Sequence, residues 1–247
     1  YGFIRSAFEK IRPDIVIHAA ALKHVDLAEE NPTQTVMVNV LGSLNIIRAS
    51  KEYDVPVTVA ISTDKASRPE NVYGYSKCLM EKMFLEANTD KNKFAVCRFA
   101  NVANSNGSVI PYWKKLNSSG LSLRLTDPKM NRLIFSKEQA ASLIGRVVDI
   151  CSNERGGLVG SYQMKSVNML DLAQAISNDI EIVGRRPGEK IDEDLISEAE
   201  LPYTYVDGDF IAIRNQINKG KNRLKSPYNS KTAPKMTRNE IEGLLNE

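Results

Sequence analysis

The sequence predicts an α/β fold: a doubly wound parallel sheet followed by a smaller lobe. Three observations carry that expectation. In the first half, short β-branched apolar runs alternate with segments whose apolar residues recur at helical spacing. The runs are apolar nearly throughout instead of alternating, as in strands buried on both faces. The 247 residues, 42% hydrophobic and 26% charged, suffice for one large core with a lobe.

The elements follow in order. FIRSAFEKI has helical spacing, and DIVIHAAA, set off by Pro13, reads as a strand. TQTVMVNVLGSLNIIRASKEY reads as helix, VPVTVAIST as strand, VYGYSKCLMEKMFLEAN as helix and FAVCRFANV as strand. These place the sheet core at residues 1–103. Residues 104–247 are expected to be mainly a substrate-binding lobe, with some elements returning to the core. GSVIPYWKKLNSSG reads as a loop and short helix, LSLRLTD and NRLIF as short strands, and SKEQAASLIGRVVDICS as a helix capped by Ser136. LVGSYQ, a helix around MLDLAQAIS, EIVGRRPGEK and YVDGDFIAI follow, and TRNEIEGLLNE closes as a helix.

Composition excludes several classes of partner. The 33 basic and 30 acidic residues are well mixed and leave a net charge of +3, without the basic field nucleic acid demands. NKGKNRLKSPYNSKTAPK is locally basic and reads as a solvated segment. No apolar run approaches the ~20 residues of a membrane span, and YGFIRSAFEK lacks a signal-peptide pattern, so a cytoplasmic protein without a membrane partner is expected. Cys78, Cys97 and Cys151 are odd in number and lack metal-like spacing, which predicts reduced thiols in packing roles and no metal. His18 and His24 also lack the spacing of a metal pair.

The chemistry concentrates in STDKASRPENVYGYSK, residues 62–77. If VPVTVAIST is a strand, Thr63, Asp64 and Lys65 emerge at its carboxyl end, where open α/β sheets bind ligands. On the following helix Tyr73 and Lys77 lie four residues apart, about 6 Å along one face. A nearby ammonium favours the phenolate, making a base suited to a hydroxyl proton. Asp64 and Lys65 both reach one ligand only if the backbone turns at the strand end, as ASRPEN suggests.

This arrangement resembles the short-chain dehydrogenase/reductase superfamily. More specifically, HAAALKHV (18–25), TVMVNVLGSLNI (35–46), STDKA (62–66), NVYGYSK (71–77), RFANV (98–102), GSVIP (107–111), TDPKMNR (126–132) and RPGEK (186–190) resemble, in this order, the UDP-N-acetylglucosamine 4,6-dehydratase family. The resemblance implies a Rossmann-like core, a UDP-sugar substrate, NADP (or NAD) as cofactor and a homo-oligomer. It assigns Thr63, Asp64, Lys65, Tyr73 and Lys77 to catalysis. Tyr73, with Lys77 and Thr63, would take the C4 hydroxyl proton as C4 hydride leaves for the cofactor. Lys65 would take the C5 proton, Asp64 would protonate the departing C6 hydroxyl, and the hydride would return to C6. Lys65, where related dehydratases have Glu, points to acetamido sugars. The resemblance further places Ala19, Ala20, Tyr73, Lys77 and Val102 at the cofactor, and Lys23, Asn101, Ile110, Lys114, Arg132, Arg186 and Glu189 at the substrate. Asn39 is read as either organising the site or making a structural hydrogen bond. Asn106 replaces a charged residue of the family pattern, which puts one phosphate contact in doubt.

The family's Gly-x-x-Gly-x-x-Gly loop, which holds the cofactor pyrophosphate at a helix N-terminus, does not precede HAAALKHV. About 70 residues of strand-helix units are expected to be missing, leaving an N-terminally incomplete core with a bare DIVIHAAA edge and weak cofactor binding. Two other readings stay open: a UDP-sugar 4-epimerase, which needs Tyr73 and Lys77 but not Asp64 and Lys65, and a non-catalytic nucleotide-sugar-binding subunit.

Overall fold

The computed structural model describes residues 1–246. Helix α1 (Gly2–Ile11) leads into β1 (Ile15–His18), then α2 (Val25–Glu30) and α3 (Pro32–Thr35). The latter continues through a π-helical turn, Val36–Leu41, into α4 (Gly42–Glu52). Strand β2 (Val57–Thr63) passes through a 3-10 turn, Asp64–Ala66, to α5 (Val72–Ala87) and β3 (Lys93–Phe99). Then come β4 (Asn101–Val102), α6 (Val109–Ser118), β5 (Leu123–Leu125), β6 (Asn131–Phe135) and α7 (Lys137–Asn153). They are followed by β7 (Leu158–Tyr162), β8 (Ser166–Asn168), α8 (Met169–Gln174), β9 (Ile180–Ile182) and β10 (Asp194–Ile196). A 3-10 segment, Glu198–Tyr203, precedes β11 (Thr204–Asp207), β12 (Phe210–Arg214), β13 (Tyr228–Asn229) and α9 (Arg238–Asn246).

The main sheet runs β1-β2-β3-β7-β12-β11. Its first four strands are parallel, and the β11–β12 hairpin adds two antiparallel strands at the far edge. Three strands from beyond residue 103 thus complete the core sheet. Strand β2 is buried because it is flanked on both sides and covered on both faces. On one face Ile47, Met80 and Phe84 pack against Ala60 and Val96; on the other Leu143, Val147 and Cys151 pack against Val59, Cys97 and Leu158. Each large side chain so buried contributes roughly 1.5–3 kcal/mol. Among the described residues strand β1 pairs only with β2, and Ile15 and Ile17 are 47% and 41% exposed at the open edge.

Three small sheets, β4-β6-β8, β5-β9 and β10-β13, sit over the carboxyl ends of these strands. The core beneath the first two gathers Trp113, Leu123, Leu125, Leu172 and, from α9, Ile241 and Leu244, whereas Leu195 and Ile196 of β10 join the core of the main sheet. Helix α7 starts on a full capping box, Ser136 with Gln139. Among the described residues no helix is long and apolar enough to cross a membrane.

Candidate active site

At the end of β2 the side chains take over from the sheet. Asp64 Oδ1 accepts from the Thr63 hydroxyl at 2.9 Å, the Lys65 backbone N–H at 2.9 Å and the Lys65 ammonium at 3.0 Å. Such local bonds offer the backbone an alternative to the ladder, and the chain tightens into the 3-10 turn. Asn71 then caps α5, its Oδ1 accepting from Gly74 N–H at 2.7 Å. Gly74 is required at that point: a Cβ there would stand 2.6 Å from the Lys65 carbonyl oxygen. The close approach lays the start of α5 on the turn and brings Tyr73 and Lys65 to the same place.

That place is a cleft of about 600 Å³ whose walls include Ala19, Thr63, Lys65, Tyr73, Lys77 and Val102. It adjoins a second of about 500 Å³, lined among others by Ile110, Trp113, Arg124, Arg132, Arg186 and Glu189. Lys23, Asn101 and Val102 border both, so the two form one groove. Asp64 is 1% exposed and lies behind Lys65, outside the cleft wall. Ala20 does not line the cleft, although its neighbours Ala19 and Ala21 do.

Electrostatics divides the cations. Burial disfavours the Lys65 charge, but the carboxylates of Asp64 and Glu193 outweigh it and raise the amine above the ordinary lysine range. Lys77 lacks a comparable counterweight. Burial lowers it to about 8 against the pull of Glu81, and its ammonium donates to the Met80 sulfur at 3.2 Å. Burial raises the Tyr73 phenol, opposed by the Lys65 charge and the Thr63 hydroxyl, with Asp64 adding to the rise. The cation that bears on the phenol is therefore Lys65.

Residues 2–215 match the family model described as Polysaccharide biosynthesis protein. The chain belongs to this family. It is 37% identical to an uncharacterized membrane protein of Methanocaldococcus jannaschii over 99% of this chain and 77% of the relative. To a UDP-N-acetylglucosamine 4,6-dehydratase (inverting) of Campylobacter jejuni it is 38% identical over 83% of this chain; the match spans 62% of that relative's length. The X-ray structure of Pen from Bacillus thuringiensis superposes over all of this chain and 78% of its own, with a TM-score of 0.92 and 29% identity. A UDP-glucose 4-epimerase of Thermus thermophilus, solved with NAD, shares the fold at a TM-score of 0.65 and 21% identity, over 75% of this chain and 70% of its own.

In this polysaccharide biosynthesis family member the remaining anticipated residues divide into those on the groove and those away from it. Lys23 Nζ donates to the Asn106 carbonyl at 2.5 Å, and Asn101 Nδ2 to the Leu133 carbonyl at 3.0 Å. Arg132 spends both terminal nitrogens on the carbonyls of Asn131, Lys190 and Ile191. Arg186 faces Asp26 at 3.5 Å, and Glu189 Oε2 accepts from the Arg186 backbone N–H. Lys114 points away from the groove and donates to the Leu245 carbonyl on α9. Asn39 makes three bonds, from Leu22 N–H and to the Leu22 carbonyl and Ser76 Oγ, which pin the loop after β1 to α5.

Two residues of the site escaped sequence reasoning. Arg124 lines the second cleft and appears in the sequence only as the polar position between Leu123 and Leu125. Glu193, 3.5 Å from Lys65 Nζ, sits in KIDEDLI, an acidic run that reads as solvated surface. The one available signal is the two-residue spacing of Glu193 and Leu195 across the start of β10, both of which are buried.

Proposed function

We propose that this chain carries the catalytic and sugar-binding parts of a 4,6-dehydratase. Its substrate is UDP-N-acetylglucosamine and its product a UDP-4-keto-6-deoxy-N-acetylhexosamine, with or without inversion at C5. The observation that supports the reading is that Lys65 and Tyr73 open onto one cleft with Asp64 bonded to Lys65 from behind. Arg124 and Arg186 along the adjoining cleft suit a diphosphate, and Arg132, its terminal nitrogens held by carbonyls, adds positive charge to the same wall.

NADP, or NAD in its place, fits the first cleft at its nicotinamide end. The small Ala19 and Ala21 leave that wall open, and Val102, Tyr73 and Lys77 would hold the cofactor there. When bound, the cofactor accepts and returns a hydride. Tyr73, assisted by Thr63 and by the Lys65 charge, takes the C4 hydroxyl proton; Lys77 lines the same wall and holds the cofactor.

The Asp64–Lys65 ion pair corresponds to the state that elimination leaves behind. Lys65 has then gained the C5 proton, and Asp64 has given its own to the departing C6 hydroxyl by way of the Thr63 hydroxyl, which bonds to Asp64 and lines the cleft. The state that begins elimination differs by one proton, moved 3.0 Å from Lys65 Nζ to Asp64 Oδ1. Lys23, Asn101, Ile110 and Glu189 are proposed to hold the UDP-sugar along the groove. Lys114 belongs to this set only if α9 releases it. A nucleotide-activated sugar as substrate supports a cytoplasmic site of action. Val36, Met37, Leu41, Tyr75 and Leu79, exposed on adjoining helices, support a homo-oligomer.

The deciding experiment incubates the enzyme completed with the glycine-rich segment expected above, with NADP and UDP-N-acetylglucosamine, in heavy water. A product with deuterium at C5 and no oxygen at C6 is expected. A 4-epimer with C5 unlabelled would replace this reading by the epimerase, and binding without turnover would replace it by a non-catalytic subunit.

A further inference from the structure

The Lys65 ammonium stands between two carboxylates. It donates to Asp64 Oδ1 at 3.0 Å, and Glu193 Oε1 lies 3.5 Å from it. Glu193 comes from the other half of the chain, one residue ahead of β10, and is 1% exposed. Its backbone is clamped by Ser230: Glu193 N–H donates to Ser230 Oγ at 3.0 Å, and Ser230 N–H donates to the Glu193 carbonyl at 3.0 Å. Among the described residues, Asp64 Oδ2 and Glu193 Oε2 are buried without hydrogen-bond partners. A carboxylate kept in such a place solely to stabilise the fold would cost more than an apolar replacement. An orphaned polar atom asks for a working reason.

We propose that Glu193 is the positioning residue for Lys65: it holds the amine at the cleft wall and governs when it yields its proton, joining Asp64 and Lys65 in one acid–base group. The role deepens the dehydratase reading and rests on it for its consequence in turnover. The step it governs breaks an N–H bond on Lys65 and forms an O–H bond on Asp64, with no other reactant. An ionised Glu193 favours the ammonium and opposes that shift; a protonated Glu193 releases it. Burial raises Glu193 above the usual carboxyl range against the pull of Lys65, with Asp64 adding to the rise and Arg132 and Lys190 opposing it. Those four charges face Glu193 from the turn after β2, from β6 and from the loop before β10.

The test reads the amine itself and needs neither cofactor nor substrate. Trace acylation of the intact protein across a range of pH, followed by peptide mapping, reports the neutral fraction of Lys65. In the wild type, Lys65 is expected to resist labelling beyond the ordinary lysine midpoint of about 10.4. Glu193→Gln is expected to label at least about tenfold faster near pH 9, one unit of pKa being tenfold in free amine, and Glu193→Asp to restore resistance. Superposable profiles for wild type and Glu193→Gln would overturn the role. So would a wild-type midpoint at or below that of ordinary lysine, which decides the matter even if the variants do not fold. A failed heavy-water experiment beside the expected labelling would overturn the dehydratase reading alone.

Discussion

His18 ends β1 with its Nε2 2.9 Å from Ser43 Oγ and its ring stacked 6.2 Å from that of Phe84. Burial, aided by the charge of Lys77, holds its pKa at about 4. The unfolded chain takes up this proton near 6.5. Between those values the unfolded state binds more protons than the folded one, so stability falls as pH falls from about 6.5 through about 4, by an amount on the order of 3 kcal/mol. Thermal unfolding followed from pH 7 to pH 5 should show this decline, and His18→Gln, which keeps a hydrogen-bonding side chain, should flatten it. An unchanged slope would assign the acid sensitivity to other groups. His18 thus packs as a core histidine whose burial favours the neutral ring, and its sequence spacing spoke only against a metal pair.

Among the elements, α5 depends most on a single missing side chain. Gly74→Ala gains helix propensity of about 1 kcal/mol, but the new methyl meets the Lys65 carbonyl at 2.6 Å and Pro69 at 3.3 Å. Backbone cannot yield there cheaply, so a net loss of roughly 1–3 kcal/mol is expected, read as a lower urea midpoint. A stabilised variant would show that the turn and helix are not in contact. The periodicities of VPVTVAIST and VYGYSKCLMEKMF made both elements legible from sequence, as did the Ser136 cap of α7. The π-helical turn within the helix of residues 32–52 was not legible, because its apolar spacing is that of ordinary helix. Nor was the burial of Asp64, whose neighbours in sequence are polar; it follows from three hydrogen bonds that draw one oxygen inward.

At the scale of the molecule, the two halves are joined through Arg98 on β3. Its guanidinium meets Glu81 of α5 at 2.6 and 3.0 Å, Glu200 of the second half at 2.7 and 3.2 Å, and the Leu195 carbonyl at 2.8 Å. Arg98→Met would strand the buried carboxylate of Glu81 and take one partner from the half-buried Glu200, which keeps its bonds from Ser67 and Ser197, at a cost of about 3–5 kcal/mol. Chemical denaturation should show that loss, and adding Glu81→Gln and Glu200→Gln should recover part of it; no recovery would mean that the loss is one of packing. Such joins explain what sequence reading missed. Lys65 and Glu193 are 128 positions apart, and no local period relates them. The hairpin β11–β12 carries ordinary strand and turn signals, but which sheet it extends is decided only in three dimensions. A smaller join has a wider reach. Asn71 seats the first turn of α5 with its oxygen and grips the Gly188 carbonyl with its nitrogen at 2.9 Å. One amide therefore yokes the arginine-bearing bend to the phenol's own helix, so that neither end of the groove can shift without tugging the other.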